Sequence, residues 1–229
     1  MRTIARLLVP VLAATAALMS SPPAAEAGAV PHILVSGAVG SARQVVLVYA
    51  TGSGTTYAKL SLWSKGSDGH WRQARSPVTA RVGRNGMTSS KREGDGKTPM
   101  GVFPVGIAFG WSSNPGTKLT WRIADVNSRW VDDSGSPYYN RWMQAPANGR
   151  WTSAERLRIT PYTYAVEVGY NREHTPGKGS AIFLHLPVAG ATSGCVATDR
   201  TTVLSTLKWL NPTSHPVFAI GTQWYIDHA

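Results

Sequence analysis

Cysteine, acidic side chains and long hydrophobic runs are all scarce in this sequence. Its 229 residues contain one cysteine, Cys195, so the chain cannot form an internal disulfide or a cysteine-based zinc site. Its histidines lack the H-x-H and H-E-x-x-H spacings of common metal sites, and neither a metal nor another cofactor is expected. After residue 27, no apolar stretch approaches the roughly 20 residues that a membrane-spanning helix needs.

The first 27 residues have the organisation of a secretory signal peptide. Arg2 and Arg6 precede an apolar segment from Leu7 to Met19, and Ala25-Glu26-Ala27 provides an A-x-A cleavage site. We therefore predict a signal peptide over residues 1–27, export, and one mature domain over residues 28–229. A retained N-terminal anchor is the alternative, disfavoured because the apolar segment is too short to span a bilayer.

The charge balance and the single thiol both indicate what an exported protein of this sequence could do. Lys and Arg number 23 against 12 Asp and Glu, which gives a formal net charge of +11. Such a protein concentrates at anionic polymers, and outside the cell these are cell-wall polymers rather than nucleic acid. An unpaired thiol is an oxidation liability there. Its presence therefore favours a nucleophile over a small buried hydrophobic residue.

Short apolar runs separated by Gly, Pro, Asn and Asp dominate the sequence from residue 44 to residue 170. Strands are predicted from Gln44 to Ala50 and from Tyr57 to Ser64, with a hairpin turn at Asp68-Gly69. A helix is predicted from Arg200 to Leu210, and further strands at Val78–Val82, Leu119–Val126, Tyr162–Tyr170 and Pro216–Gly221. The pattern predicts a mostly β, mostly antiparallel sandwich or partly closed barrel with one or two short helices. A monomer is expected.

The most informative stretch is Ser180–Asp199, which reads SAIFLHLPVAGATSGCVATD. Its segment Ala181–Leu186 has the period-two pattern of a strand, and His185 lies near the end of that strand, on the same face as Phe183. The next eight residues contain a proline, two glycines and two hydroxyl residues, which favour a loop. Such a loop can fold Cys195 back toward His185.

A neighbouring cysteine and histidine suit nucleophilic catalysis. A thiol with a pKa of about 8.5 is mostly protonated at neutral pH, and a nearby imidazole raises its thiolate fraction. Gly194 lets a carbonyl approach the backbone, so the amides of Gly194 and Cys195 are candidates for an oxyanion hole. The alternative is that Cys195 and His185 are ordinary core residues.

These residues resemble the signature of the L,D-transpeptidase catalytic domain, the YkuD-like domain of bacterial cell-wall enzymes. That signature is a histidine, a loop, then Ser or Thr, His, Gly, Cys and a hydrophobic residue. Here His185 and the run Thr192 to Val196 correspond. Ser193 stands where the family usually has a second histidine, and Ala197 where a polar residue is common. Three upstream blocks are similar to one divergent branch of the family: Lys91–Phe103, Ser136–Trp142 and Gly177–His185.

The resemblance implies acyl transfer on peptidoglycan stem peptides through a thioester on Cys195. Cys195 would attack the carbonyl that follows the third stem residue, and His185 would protonate the departing D-alanine and then deprotonate the incoming amine. The resemblance also makes five further residues candidates for substrate binding: Ser193, Thr192, Asn171, Tyr139 and Asn140. For the two Tyr-Asn pairs, an Asx turn with an aromatic packed on the sheet is the alternative.

Two other features of the sequence could indicate a different site or a different base. The segment Lys91–Thr98, KREGDGKT, contains a G-x-G-K-T run but lacks the spacer between glycines of a phosphate loop, and Pro99 follows it instead of a helix. Nucleotide binding is therefore rejected, and the resemblance places this turn near the donor cleft. His174 is the rival to His185 as the base.

Three other functions remain open from the sequence. With water as the acceptor, the same acyl-enzyme would make the protein an L,D-carboxypeptidase. A cysteine peptidase or amidase of another fold usually has its cysteine before its histidine, the reverse of the order here. A cell-wall-binding module without catalysis is compatible with the departures at Ser193 and Ala197.

Overall fold

The computed structural model describes residues 29–229, so the predicted signal peptide lies outside the described residues. The strands are β1 Gln44–Ala50, β2 Tyr57–Lys65, β3 Trp71–Arg81, β4 Met87–Thr88, β5 Thr98–Pro99, β6 Gly101–Gly110, β7 Trp121–Ile123, β8 Ser128–Val131, β9 Trp142–Gln144, β10 Ala154–Arg156, β11 Ala165–Val168, β12 Phe183–His185, β13 Val196–Thr198 and β14 Val217–Thr222. The helices are α1 His32–Val35, α2 Arg200–Trp209 and α3 Gln223–His228, with short 3-10 turns at Thr160–Thr163 and Pro212–Ser214.

Eight strands form a closed barrel. The order is β11, β12, β13, β3, β2, β1, β14 and β6, and β6 pairs again with β11 to close the ring. Strand β7 extends the sheet beside β6, while β10, β8 and β9 form a separate small sheet. The prediction of a mostly β fold with a barrel is confirmed, and the barrel is fully closed.

The prediction of an antiparallel architecture is only partly right. Strands β1 and β14, β12 and β13, and β6 and β7 pair in parallel. Parallel neighbours need a crossover connection rather than a tight hairpin, and the loop over residues 186–195 provides one between β12 and β13. Residues 29–229 contain three short helices rather than one or two, and of these only α2 was placed from the sequence.

Local sequence signals place several elements correctly. Strand β1 has the predicted bounds, and β2 extends one residue beyond its predicted end. Helix α2 begins at the predicted residue because the carboxylate of Asp199 accepts a hydrogen bond from Thr202 N–H at 2.9 Å, which caps the helix. It ends before Asn211-Pro212, as predicted.

Other predicted bounds are wrong. Strand β3 begins at Trp71 rather than Val78, because its first half pairs with β2 despite a largely polar sequence. The strand predicted over Leu119–Val126 shortens to Trp121–Ile123, and that over Tyr162–Tyr170 shortens to Ala165–Val168.

Alternation along β12 separates two parts of the interior. Ile182, Leu184 and Leu186 pack into the main core, which also receives apolar side chains of α2. Phe183 belongs instead to a second cluster, which contains Cys195 and several aromatic rings. The two faces of β12 therefore have the orientations that its period-two pattern predicts, and the face of Phe183 and His185 meets Cys195.

No helix among residues 29–229 combines the length and the apolar character needed to cross a membrane.

Candidate active site

The structure brings Cys195 and His185 to the wall of one cavity of about 530 Å³. Strand β12 ends at His185, and β13 begins directly after Cys195 and runs parallel to β12. The connecting loop must therefore carry the chain back to the end of the sheet at which β12 begins. It is held there by Thr192, whose N–H donates to Val82 O and whose carbonyl accepts from Arg84 N–H.

The Cys195 thiol is buried and has two backbone partners. Its S–H donates to Ala181 O at 3.2 Å, and its sulfur accepts from Phe183 N–H at 3.4 Å. Neither partner is His185. Burial, followed by the negative charge of Glu155, raises the pKa of the Cys195 thiol to about 12. The cysteine therefore rests as a neutral thiol, rather than as the thiolate that a directly contacting imidazole would favour.

The imidazole of His185 is fixed by the next residue of its own chain. Its Nδ1 lies 2.6 Å from Leu186 O, and because a carbonyl only accepts, Nδ1 carries the proton. Burial lowers the pKa of His185 to about 4, so the ring is neutral at neutral pH and its Nε2 has a free lone pair. A loop carbonyl, rather than the Ser193 hydroxyl, thus orients this histidine.

Thr192 shapes the turn before the cysteine. Its hydroxyl donates to Cys195 O at 2.6 Å and accepts from Gly194 N–H at 3.1 Å. The backbone of Gly194 has a φ of +144°, a value that glycine tolerates best. Because Gly194 N–H is already bonded to Thr192, it is not available for the predicted oxyanion role. Cys195 N–H donates no hydrogen bond within the described chain and is the free amide beside the Cys195 thiol.

Ser193 and Arg84 form a polar pair at the exposed rim of the cavity. The guanidinium of Arg84 donates to Ser193 Oγ at 2.8 Å, and both residues line the cavity. Ser193 thus holds a cation at the rim of the cavity that Cys195 also lines. Thr192 also lines the cavity, but its buried hydroxyl has both of its partners within the loop.

The structure places Tyr139, Asn140 and Asn171 behind the cavity rather than in its wall, in contrast to the predicted cleft-lining role. All three are buried, and none lines the cavity. Tyr139 O–H donates to Glu93 Oε2 at 2.5 Å and accepts from Gly179 N–H at 2.9 Å. Their polar atoms are occupied by protein partners, which leaves them structural roles.

Asn140 and Asn171 both adopt positive φ values, 55° and 52°. The side-chain amide of Asn140 accepts from Trp130 Nε1 and Ala181 N–H, and donates to Tyr170 O and Asn171 O. Asn171 accepts from Thr175 N–H and donates to Thr175 O and Gly179 O. These bonds fasten the segment that leads into β12.

The turn that follows β4 lies beside the cavity, where the resemblance places it. Lys91, Glu93 and Gly94 line the cavity. The buried ammonium of Lys91 lies 2.6 Å from Asp95 Oδ1, and Glu93 Oε2 accepts from Ser180 Oγ at 2.7 Å. His174, the rival base, does not line this cavity.

Two further cavity residues were not identified from the sequence. Tyr162 packs edge-on against His185, with ring centroids 5.1 Å apart, and its O–H donates to Glu155 Oε1. Glu155 belongs to β10, in the small sheet, and Tyr162 to the 3-10 turn before β11. Neither has a local motif, and only the long-range packing of these elements places them beside Cys195.

No group of three or more His, Cys, Asp or Glu side chains within residues 29–229 has a metal-binding arrangement.

A family model for the L,D-transpeptidase catalytic domain matches residues 43–219. No curated protein and no solved structure gives a significant match. The matched region includes the barrel up to the middle of β14, the loop before Cys195, and both candidate catalytic residues. By sequence, the chain belongs to the L,D-transpeptidase catalytic domain family, whose function concerns peptidoglycan.

Proposed function

We propose that the protein is an exported L,D-transpeptidase that transfers stem-peptide acyl groups through a thioester on Cys195. The observation that carries this proposal is the placement of Cys195 and His185 in one cavity, with the tautomer of His185 fixed by Leu186 O. The predicted signal peptide and the net charge of +11 support action at the cell wall.

The reaction starts from a neutral pair. His185 Nε2 takes the thiol proton as Cys195 Sγ attacks the carbonyl between the third stem residue and D-alanine. For this step the thiol exchanges its bond to Ala181 O for one to His185. Cys195 N–H stabilises the oxyanion. As the carbon–nitrogen bond breaks, the imidazolium of His185 gives its proton to the departing D-alanine.

The second half-reaction reverses these roles. An incoming amine gives a proton to His185 as its nitrogen bonds the thioester carbon, and the carbon–sulfur bond breaks to leave the thiolate. The imidazolium then returns its proton to Cys195. Arg84, held by Ser193 at the rim, is placed to bind a carboxylate of a stem peptide.

The test is incubation of the mature protein with disaccharide-tetrapeptides, followed by mass spectrometry. We expect a cross-linked dimer with loss of one D-alanine, absent with Cys195→Ala. Loss of D-alanine without a dimer would instead indicate an L,D-carboxypeptidase. Binding of peptidoglycan without any change in substrate mass, equal in wild type and variant, would contradict an enzymatic function.

A further inference from the structure

Glu155, which is half-buried, and Tyr162, which is buried, form a polar connection beside the cysteine. The hydroxyl of Tyr162 donates to Glu155 Oε1. Tyr162 and Cys195 pack in the same cluster of the interior; the charge of Glu155 raises the pKa of the Cys195 thiol, and the hydroxyl of Tyr162 lowers it. Tyr162 therefore stands between a carboxyl group and the nucleophile, with its ring against His185.

The surroundings of Glu155 disfavour its negative charge. Burial, followed by the nearby carboxylates of Asp132 and Glu93, raises the pKa of Glu155 to about 7, although the hydrogen bond from Tyr162 opposes this rise. The cavity cation Lys91 is paired with Asp95. Glu155 thus changes charge in the neutral range, unlike an ordinary glutamic acid with a pKa of about 4.3.

We propose that Glu155 is a positioning residue that sets the ionisation of Cys195 through the hydroxyl of Tyr162. When Glu155 is ionised, the Tyr162 proton is directed at the carboxylate, and the added charge disfavours a thiolate. When Glu155 is protonated, its O–H donates to the Tyr162 oxygen and the Tyr162 O–H turns to the sulfur, which favours a thiolate. The importance of this control for turnover rests on the proposed cysteine chemistry.

The test is the rate of Cys195 alkylation by iodoacetamide as a function of pH, because only the thiolate reacts. For the wild type, we expect the logarithm of the rate to rise with pH, flatten near the Glu155 pKa of about 7, and then rise again. Glu155→Gln should remove the flattening and react roughly tenfold faster above it, as expected for one pKa unit. A wild-type profile without flattening would overturn the proposal.

Two variants separate this link from other effects. Glu167→Gln removes a half-buried carboxyl outside this cavity, one that accepts from Ile107 N–H, and should leave the wild-type profile unchanged. Tyr162→Phe should reduce the flattening, and adding Glu155→Gln to it should change the rate clearly less than tenfold, because only the direct effect of the Glu155 charge remains. An unchanged tenfold effect in the Tyr162→Phe background would overturn the role of Tyr162.

The alkylation profile does not depend on stem-peptide turnover. A wild type that shows the flattening but never changes a stem peptide would contradict the proposed function and leave the inference standing. An enzyme that turns over stem peptides but has an alkylation profile without flattening would support the proposed function and contradict the inference about Glu155. Thermal melting of each variant, and the wild-type profile itself, keep the test decisive where a substitution prevents folding.

Discussion

Replacing Asn140 with alanine should destabilise the domain without altering substrate contacts. The substitution leaves two buried donors, Trp130 Nε1 and Ala181 N–H, without their 2.7 and 3.1 Å bonds to Asn140 Oδ1. An unsatisfied buried donor costs about 1–3 kcal/mol, so the two together cost about 2–6 kcal/mol. Since Ala181 O accepts the Cys195 thiol, loosening of this segment should also slow acylation.

The positive φ of Asn140 adds a separate backbone cost, because alanine tolerates the left-handed region less well than asparagine. Asn148→Ala is the matched control. Asn148 is exposed, has a φ of 47° and makes no side-chain hydrogen bond within the described chain. The difference in unfolding free energy between the two variants isolates the buried hydrogen bonds.

The assay is urea unfolding of both variants followed by tryptophan fluorescence, with thermal melting as a second readout. At roughly 2–4 °C per kcal/mol for a domain of this size, Asn140→Ala should melt about 4–24 °C below the control. Equal unfolding free energies for Asn140→Ala and Asn148→Ala would refute the structural role of this amide. A large loss of substrate affinity in a fully stable Asn140→Ala protein would restore the cleft-lining role.

Three further predictions concern the nucleophile loop, the base and α2. Gly194→Ala should slow acylation more than tenfold and lower the free energy of unfolding by about 1–3 kcal/mol, because the added Cβ at a φ of +144° would lie 3.0 Å from Lys97 O. Carbapenem adduct formation measures the rate and urea unfolding the stability. An unchanged acylation rate would contradict this prediction. The wild-type acylation rate should fall on acidification only near the His185 pKa of about 4, and a fall centred near 6.5, the ordinary histidine value, would contradict a neutral buried base. Asp199→Ala should lower the free energy of unfolding by about 1 kcal/mol through loss of the helix cap. Although burial raises the pKa of Asp199, hydrogen bonds from Thr202 outweigh it and lower this pKa, so the stabilisation is present above the unfolded pKa of about 3.9 and is lost as the pH falls through the lower folded value. Unfolding curves at pH 7 and at acid pH check the size of the effect and its loss.

Local sequence signals were sufficient to predict an element where its own residues carry both the pattern and the signals for its ends. Strand β1 combines a continuous apolar run with a flanking Gly-Ser-Gly turn, and α2 combines an Asp cap with a Pro stop. The half of β3 from Trp71 to Pro77 gave no such signal, because its mixed polar side chains alternate poorly and its register with β2 is interrupted by irregularities. Pairing with β2, rather than propensity, determines that strand.

Closure of the barrel and completion of the site depend on contacts between distant segments. The pairing of β11 with β6 joins Ala165 to Phe109, and no local pattern specifies such a register. The same applies to Glu155 and Tyr162, which approach Cys195 only after the small sheet packs beside the barrel. The motif around Cys195 predicted that Cys195 and His185 lie near each other, whereas the places of Glu155 and Tyr162 beside them depend on the fold.

Asn140 and Asn171 show why residues predicted from the sequence to line the cleft lie behind the cavity instead. Polar residues near a predicted site suggest substrate binding, but a positive φ and a full set of buried backbone partners have no signature in a single sequence. Their side chains satisfy irregular backbone next to β12. The bond from Thr175 N–H to Asn171 Oδ1 is local to the chain but spans four residues, so it is not the Asx turn that was the alternative.

The central claim is that Cys195 is an acylating nucleophile assisted by His185. Intact-mass measurement of the mature protein after incubation with a carbapenem tests it most directly. We expect a stable adduct of one carbapenem per chain on the wild type, no adduct on Cys195→Ala, and slower formation on His185→Ala. An adduct that persists on Cys195→Ala, or none on a folded wild type with a reduced thiol, would contradict the account.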